Sequence, residues 1–72
     1  MAKYYVNEDT SANPEGNNEI HTEDCYLFPD IEDTCVFLCE TDDCSEAVED
    51  AKQRGYIKAD GCMHCCKSCH TG

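Results

Sequence analysis

The sequence predicts a small α+β domain with a β-hairpin, a third short strand and one α-helix, drawn together by a metal staple. Three observations lead there. Short β-branched and aromatic segments fall at residues 3–6, 19–21 and 35–39, a capped helical pattern follows at 44–54, and eight cysteines are spread over only 72 residues. A chain this short buries too little apolar surface for a core alone to outweigh chain entropy comfortably, so a cross-link is expected. There are no internal repeats, and residues 1–72 are read as a single domain.

Each element has its own signal. Tyr4, Tyr5 and Val6 favour a strand. Residues 7–18 are almost pure turn composition, with Pro14 and Gly16 among Asn, Asp, Ser and Thr, and read as a flexible loop. Ile20 and His21 resume an extended pattern, which makes them the second arm of a hairpin with a long connection, His21 standing at the strand's end. Residues 25–29 form an apolar knuckle closed by Pro29, which cannot donate to a sheet ladder, and residues 30–34 an acidic turn. Val36, Phe37 and Leu38, between Cys35 and Cys39, read as a third strand buried on at least one face. Asp43 or Ser45 can cap a helix over 44–54. Glu46 and Glu49 suit its positive end, and Gly55 suits the left-handed position beyond its last turn. Ala47, Val48 and Ala51, extended by Cys44, give it a face of small residues. Residues 56–59 read as one more short extended segment before a cysteine-rich tail, 60–72.

Sixteen Asp and Glu against five Lys and Arg give a formal charge of −11, which opposes binding to phosphate backbones. Lys52, Arg54, Lys58 and Lys67 are scattered among carboxylates rather than clustered, so nucleic acid is not an expected partner. The balance suits a solvated surface and an unknown protein partner carrying basic charge. No stretch approaches the length of a membrane span, and the N-terminal residues lack the apolar run of a signal peptide. The expectation is a cytoplasmic monomer, and in a reducing compartment cysteines at this density point to metal or redox chemistry before disulfides.

The strongest motif is Gly61-Cys62-Met63-His64-Cys65-Cys66-Lys67-Ser68-Cys69-His70, two C-x-x-C pairs back to back. Two thiolates separated by two residues can wrap one tetrahedral zinc from a tight turn, because the intervening backbone curls its amides toward the sulfurs. A second pair of ligands is available in His21-Thr22-Glu23-Asp24-Cys25, whose H-x-x-x-C spacing lets both side chains converge on one ion. One Zn2+ held by His21, Cys25, Cys62 and Cys65 is therefore expected. Cys66 and Cys69 are the alternate second pair and His70 an alternate ligand; Gly61, ahead of Cys62, favours the first pair because it permits close backbone approach. A histidine inside a tight knuckle, such as His64 or His70, more often faces solvent or hydrogen-bonds the backbone. Cys35, Cys39 and Cys44 read as buried small hydrophobes, with pairing of Cys35 and Cys39 to each other or to Cys69 left open. The tyrosines and phenylalanines are read as core rather than as a binding surface.

The succession of His21 and Cys25, a strand, a helix ending in Gly55-Tyr56, and then Cys62 and Cys65 resembles the zinc modules related to the N-terminal domain of the Ada methylation-repair protein. The resemblance covers roughly residues 20–66 and extends to a group of small bacterial proteins ending in a similar G-C-x-x-C-C-x-x-C-H signature. It implies a structural zinc-binding unit. In the repair protein a ligand cysteine also accepts a methyl group from a DNA phosphotriester, but here histidine stands where that domain has its first cysteine, and the net charge opposes DNA. Metal ligation is carried over; methyl transfer is not.

The function expected is a structural zinc-binding module for protein interaction or scaffolding, without enzymatic activity or catalytic residues. Two alternatives use the same cysteines differently. A disulfide-stabilised exported protein would employ all eight thiols, in one of on the order of a hundred pairings. A thiol-disulfide protein would exchange electrons through Cys62-x-x-Cys65, although such motifs normally open a helix after a strand, and no helix is expected there.

Overall fold

A computed structural model describes residues 2–10 and 16–70. Of the loop expected over 7–18, residues 11–15 lie outside the described residues, as do residues 71 and 72 of the tail. The architecture is α+β: four strands, β1 (Ala2–Asn7), β2 (Asn18–Thr22), β3 (Cys35–Thr41) and β4 (Ala59–Gly61), with a one-turn helix α1 (Phe28–Ile31) and a longer helix α2 (Cys44–Gln53). The strands form one mixed sheet in the order β3-β1-β2-β4.

β1 and β2 pair antiparallel, Val6 opposite Ile20 and Tyr5 opposite His21, so the two expected hairpin arms meet in register. Asn7 organises the point where the chain leaves the sheet: its carbonyl accepts from Asn18 Nδ2 at 3.1 Å and its side-chain oxygen from Thr34 Oγ1 at 2.7 Å. On its other side β1 pairs antiparallel with β3, with a slip between Tyr4, opposite Cys39, and Tyr5, opposite Phe37. Leu38 is thus the extra residue of a β-bulge. Arg54 reaches across from the end of α2 and donates to the carbonyls of Phe37 and Leu38, at 3.3 and 2.9 Å, its own guanidinium held by Asp50.

Helix α2 begins and ends as its sequence dictates. Asp43, rather than Ser45, is the cap, accepting from the Ser45 amide at 2.9 Å. These hydrogen bonds from Ser45 hold the Asp43 carboxyl below the usual carboxylate range. At the other end the Gly55 amide donates to Lys52 and the Tyr56 amide to Ala51, the paired bonds of a Schellman cap, with Gly55 at φ +105°. A side chain at that φ would be strained. The helix buries Cys44, Ala47 and Ala51 against Tyr4, Val6, Ile20, Leu38 and Ala59 of the sheet. Two alanines on that face let the helix backbone lie close to the strands.

Three local expectations are corrected. The stretch expected as an apolar knuckle and acidic turn coils into α1 followed by a 3-10 turn at Glu32–Thr34, with Pro29 in the first helical turn, where its missing N–H leaves no bond unmade. Residues 56–58 do not form a strand, because Tyr56 is taken up by the α2 cap. The strand starts at Ala59 and runs parallel to β2, with Asn18 opposite Ala59 and Ile20 opposite Gly61. Cys44 is not a free core thiol, since it forms a disulfide with Cys69.

Candidate metal centre

Successive residues of a strand point to opposite faces, so Ile20 enters the helix-covered core while His21 turns to the other side of β2. Both are fully buried, at 0% and 1% exposure. Just past the strand the chain turns, the Cys25 amide donating to the Thr22 carbonyl at 3.1 Å, and this brings Cys25 back beside His21. From the other edge, β4 is prolonged by a bond from the Cys62 amide to the Ile20 carbonyl at 3.0 Å, and the next turn is closed by the Cys66 amide on the Cys62 carbonyl. That turn holds Cys62 and Cys65 over the end of β2.

The result is a cluster. The ligand atoms of His21, Cys25, Cys62 and Cys65 all lie within 4.8 Å of one another, and all but Cys65 are buried. The imidazole presents Nδ1, at 3.7 Å from the Cys25 sulfur and 3.9 Å from that of Cys65. Backbone amides point at the sulfurs, Thr22 N–H at Cys65 and His64 N–H at Cys62, each at 3.4 Å. Further amides, of Leu27 and Cys65, favour ionisation of Cys25 and Cys62 respectively. Such donors stabilise a thiolate more than a thiol.

Burial works the other way. It pushes the Cys62 thiol up to about 12 and raises Cys25, while Cys65 is raised first by its hydrogen bond with Cys66 and then by burial. The bare cluster is therefore a set of protonated thiols in a poorly solvated place, with amides and an imidazole already oriented for their ionised forms. It could hold a metal ion, whose charge would replace three protons.

The alternate ligands go elsewhere. Cys69 is bonded to Cys44, with Cα atoms 6.4 Å apart, and His70 Nδ1 lies 3.0 Å from the Gly61 carbonyl and 3.5 Å from the Asp60 carboxylate. Cys66 is buried in the core, its sulfur 3.9 Å from Cys65, and that hydrogen bond lowers its thiol. His64 stacks edge-on against exposed Tyr26, with ring centres 5.2 Å apart. Cys35 and Cys39 are free and half-buried, burial pushing Cys35 up to about 11.

Gly61 is where the tail touches the sheet. A Cβ there would meet the Cys66 carbonyl oxygen at 2.7 Å and the Cβ and carbonyl carbon of Cys69 at 2.8 and 2.9 Å. These are main-chain atoms and the root of a disulfide, none of which swings aside cheaply. Gly61→Ala is expected to lower stability by about 3 kcal/mol, the upper end of ordinary overpacking, as read from the urea midpoint.

Comparison with protein-family models, curated proteins and solved structures finds no match for this chain. The functional reading accordingly stands on the chemistry of the cluster.

Proposed function

We propose that His21, Cys25, Cys62 and Cys65 hold one structural zinc ion and that the protein is a zinc-stapled module for binding a protein partner. The observation that carries this reading is the convergence of four ligand atoms within 4.8 Å, from the end of the hairpin and from the tail. Zinc–sulfur and zinc–nitrogen bonds of about 2.3 and 2.0 Å, arranged tetrahedrally, separate sulfur from nitrogen by about 3.5 Å. The Nδ1 to sulfur distances of 3.7 and 3.9 Å are close to that. When bound, the ion supplies the positive charge that lets three buried thiols ionise. Cys25 then ties the hairpin end, and Cys62 with Cys65 ties the tail.

Three thiolates and an imidazole form a closed set, whereas a catalytic zinc keeps a position for water, so the reading is of a non-enzyme. The ligand pattern is also the one through which the chain resembles the Ada-type zinc modules. A cytoplasmic setting fits thiolate ligation, and a charge of −11 favours a basic partner.

The disulfide between Cys44 and Cys69 favours a second reading, an exported disulfide-stabilised protein. Thiol-disulfide exchange through Cys62 and Cys65 has less support, because an attacking thiol needs a lowered pKa and Cys62 is pushed up to about 12. Intact mass under native and then denaturing conditions, without reductant, separates these. One added zinc that leaves on acidification, with a single pair of thiol hydrogens missing, is the expected result. No metal and hydrogens missing from all eight cysteines would replace the zinc module with a disulfide-knit protein.

A further inference from the structure

We propose that Glu19 is the positioning residue of the metal centre, fixing His21 so that Nδ1 faces the ion and Nε2 carries the proton. The inference rests on the zinc reading and makes it specific to one nitrogen and one carboxylate.

His21 has two ring nitrogens in different surroundings. Nδ1 looks into the three-sulfur cluster. Nε2 is buried and has no hydrogen-bond partner among the described residues. A neutral imidazole that ligates through Nδ1 must carry its hydrogen on Nε2, and a buried N–H without an acceptor is costly. The Glu19 carboxylate stands on the same side, with Oε1 3.6 Å from Nε2, just beyond hydrogen-bond reach. Two residues apart on β2, Glu19 and His21 project from the same face of the strand. Glu19 is placed there by the parallel pairing of β2 with β4, where it stands opposite Asp60. Its side chain is about one-third exposed, at 34%, which leaves room for the small movement that closes the bond. A carboxylate on the far nitrogen of a ligand histidine sets the tautomer and ring orientation and strengthens the nitrogen's donation to the metal.

The test uses the full chain, zinc alone as ligand, and three forms: wild type, Glu19→Ala and Glu19→Gln. Zinc affinity is read by competition with a chromophoric chelator, and the His21 tautomer by long-range nitrogen–proton correlation NMR. The expected result is that wild type binds one zinc with Nδ1 coordinated and a proton on Nε2, and that Glu19→Ala weakens binding about 10–100-fold. Glu19→Gln, which keeps an acceptor oxygen, should recover part of that loss and the tautomer. A wild type that binds zinc through Nε2, or a Glu19→Ala protein with unchanged affinity, would overturn the role of Glu19 while leaving the zinc site standing. A wild type that takes up no zinc would overturn both.

Discussion

Chelation of the proposed zinc ion at neutral pH is expected to unfold the protein, with loss of amide dispersion in its NMR spectrum. The reason lies in what the core is made of. The largest fully buried side chains are Ile20, His21, Val6 and Cys62, and two of these four are members of the cluster. His21 is buried with one nitrogen that has no hydrogen-bond partner among the described residues, and the buried thiols contribute little beyond their volume. Structural zinc in small domains supplies on the order of 10 kcal/mol of folding free energy. A domain of this size has a net stability of roughly 4–11 kcal/mol, taking about 0.05–0.15 kcal/mol per residue. The ion's contribution is therefore comparable to the whole. Cys25→Ser should reproduce the chelated state, whereas Cys39→Ser, at a half-buried free thiol outside the cluster, should cost about 1 kcal/mol. A chelated protein that keeps its spectrum and melting temperature would show that the cluster is not what holds the fold.

The second large effect concerns the Cys44–Cys69 disulfide. It closes a loop between residues 25 apart, spanning all of α2, β4 and the turn that holds Cys62 and Cys65. On chain-entropy grounds a loop of that length is worth about 3–4 kcal/mol. Cys69→Ser is expected to cost that much, measured by denaturant unfolding with zinc present. Because Gly61 sits directly beneath Cys69, the same substitution should also loosen the turn that presents Cys62 and Cys65, and so weaken zinc binding. If the substituted protein, or the reduced wild type, were as stable as the oxidised one, the disulfide would have no structural role.

Much of this fold is legible in the chain, and the reasons are local. The hairpin arms announce themselves through Tyr4, Tyr5, Val6, Ile20 and His21. Helix α2 carries its own start in Asp43 and its own stop in Gly55. The cluster follows from spacing, since H-x-x-x-C and C-x-x-C each deliver two ligands from one turn and leave only the meeting of the two turns to the fold. What escaped depends on distant partners. Strand β4 is three residues long and contains Asp60 and Gly61, neither of which favours a strand; it is extended because β2 offers a parallel edge. The partner of Cys44 cannot be read from eight cysteines, because any pairing satisfies the count. Helix α1 escaped because Pro29 read as a terminator, although a proline in a first helical turn serves equally well as a start.

Arg54 bears on how copies of this chain behave in concentrated solution. An outer strand offers its free carbonyls and amides to any other strand that drifts past, and repeated addition of that kind nucleates fibrils. At the bulge of β3 two adjacent carbonyls, those of Phe37 and Leu38, are already held by one guanidinium. An incoming strand would have to displace a charged group anchored on Asp50 before making its first bonds there. The side chain that finishes α2 thus also occupies part of the sheet's border.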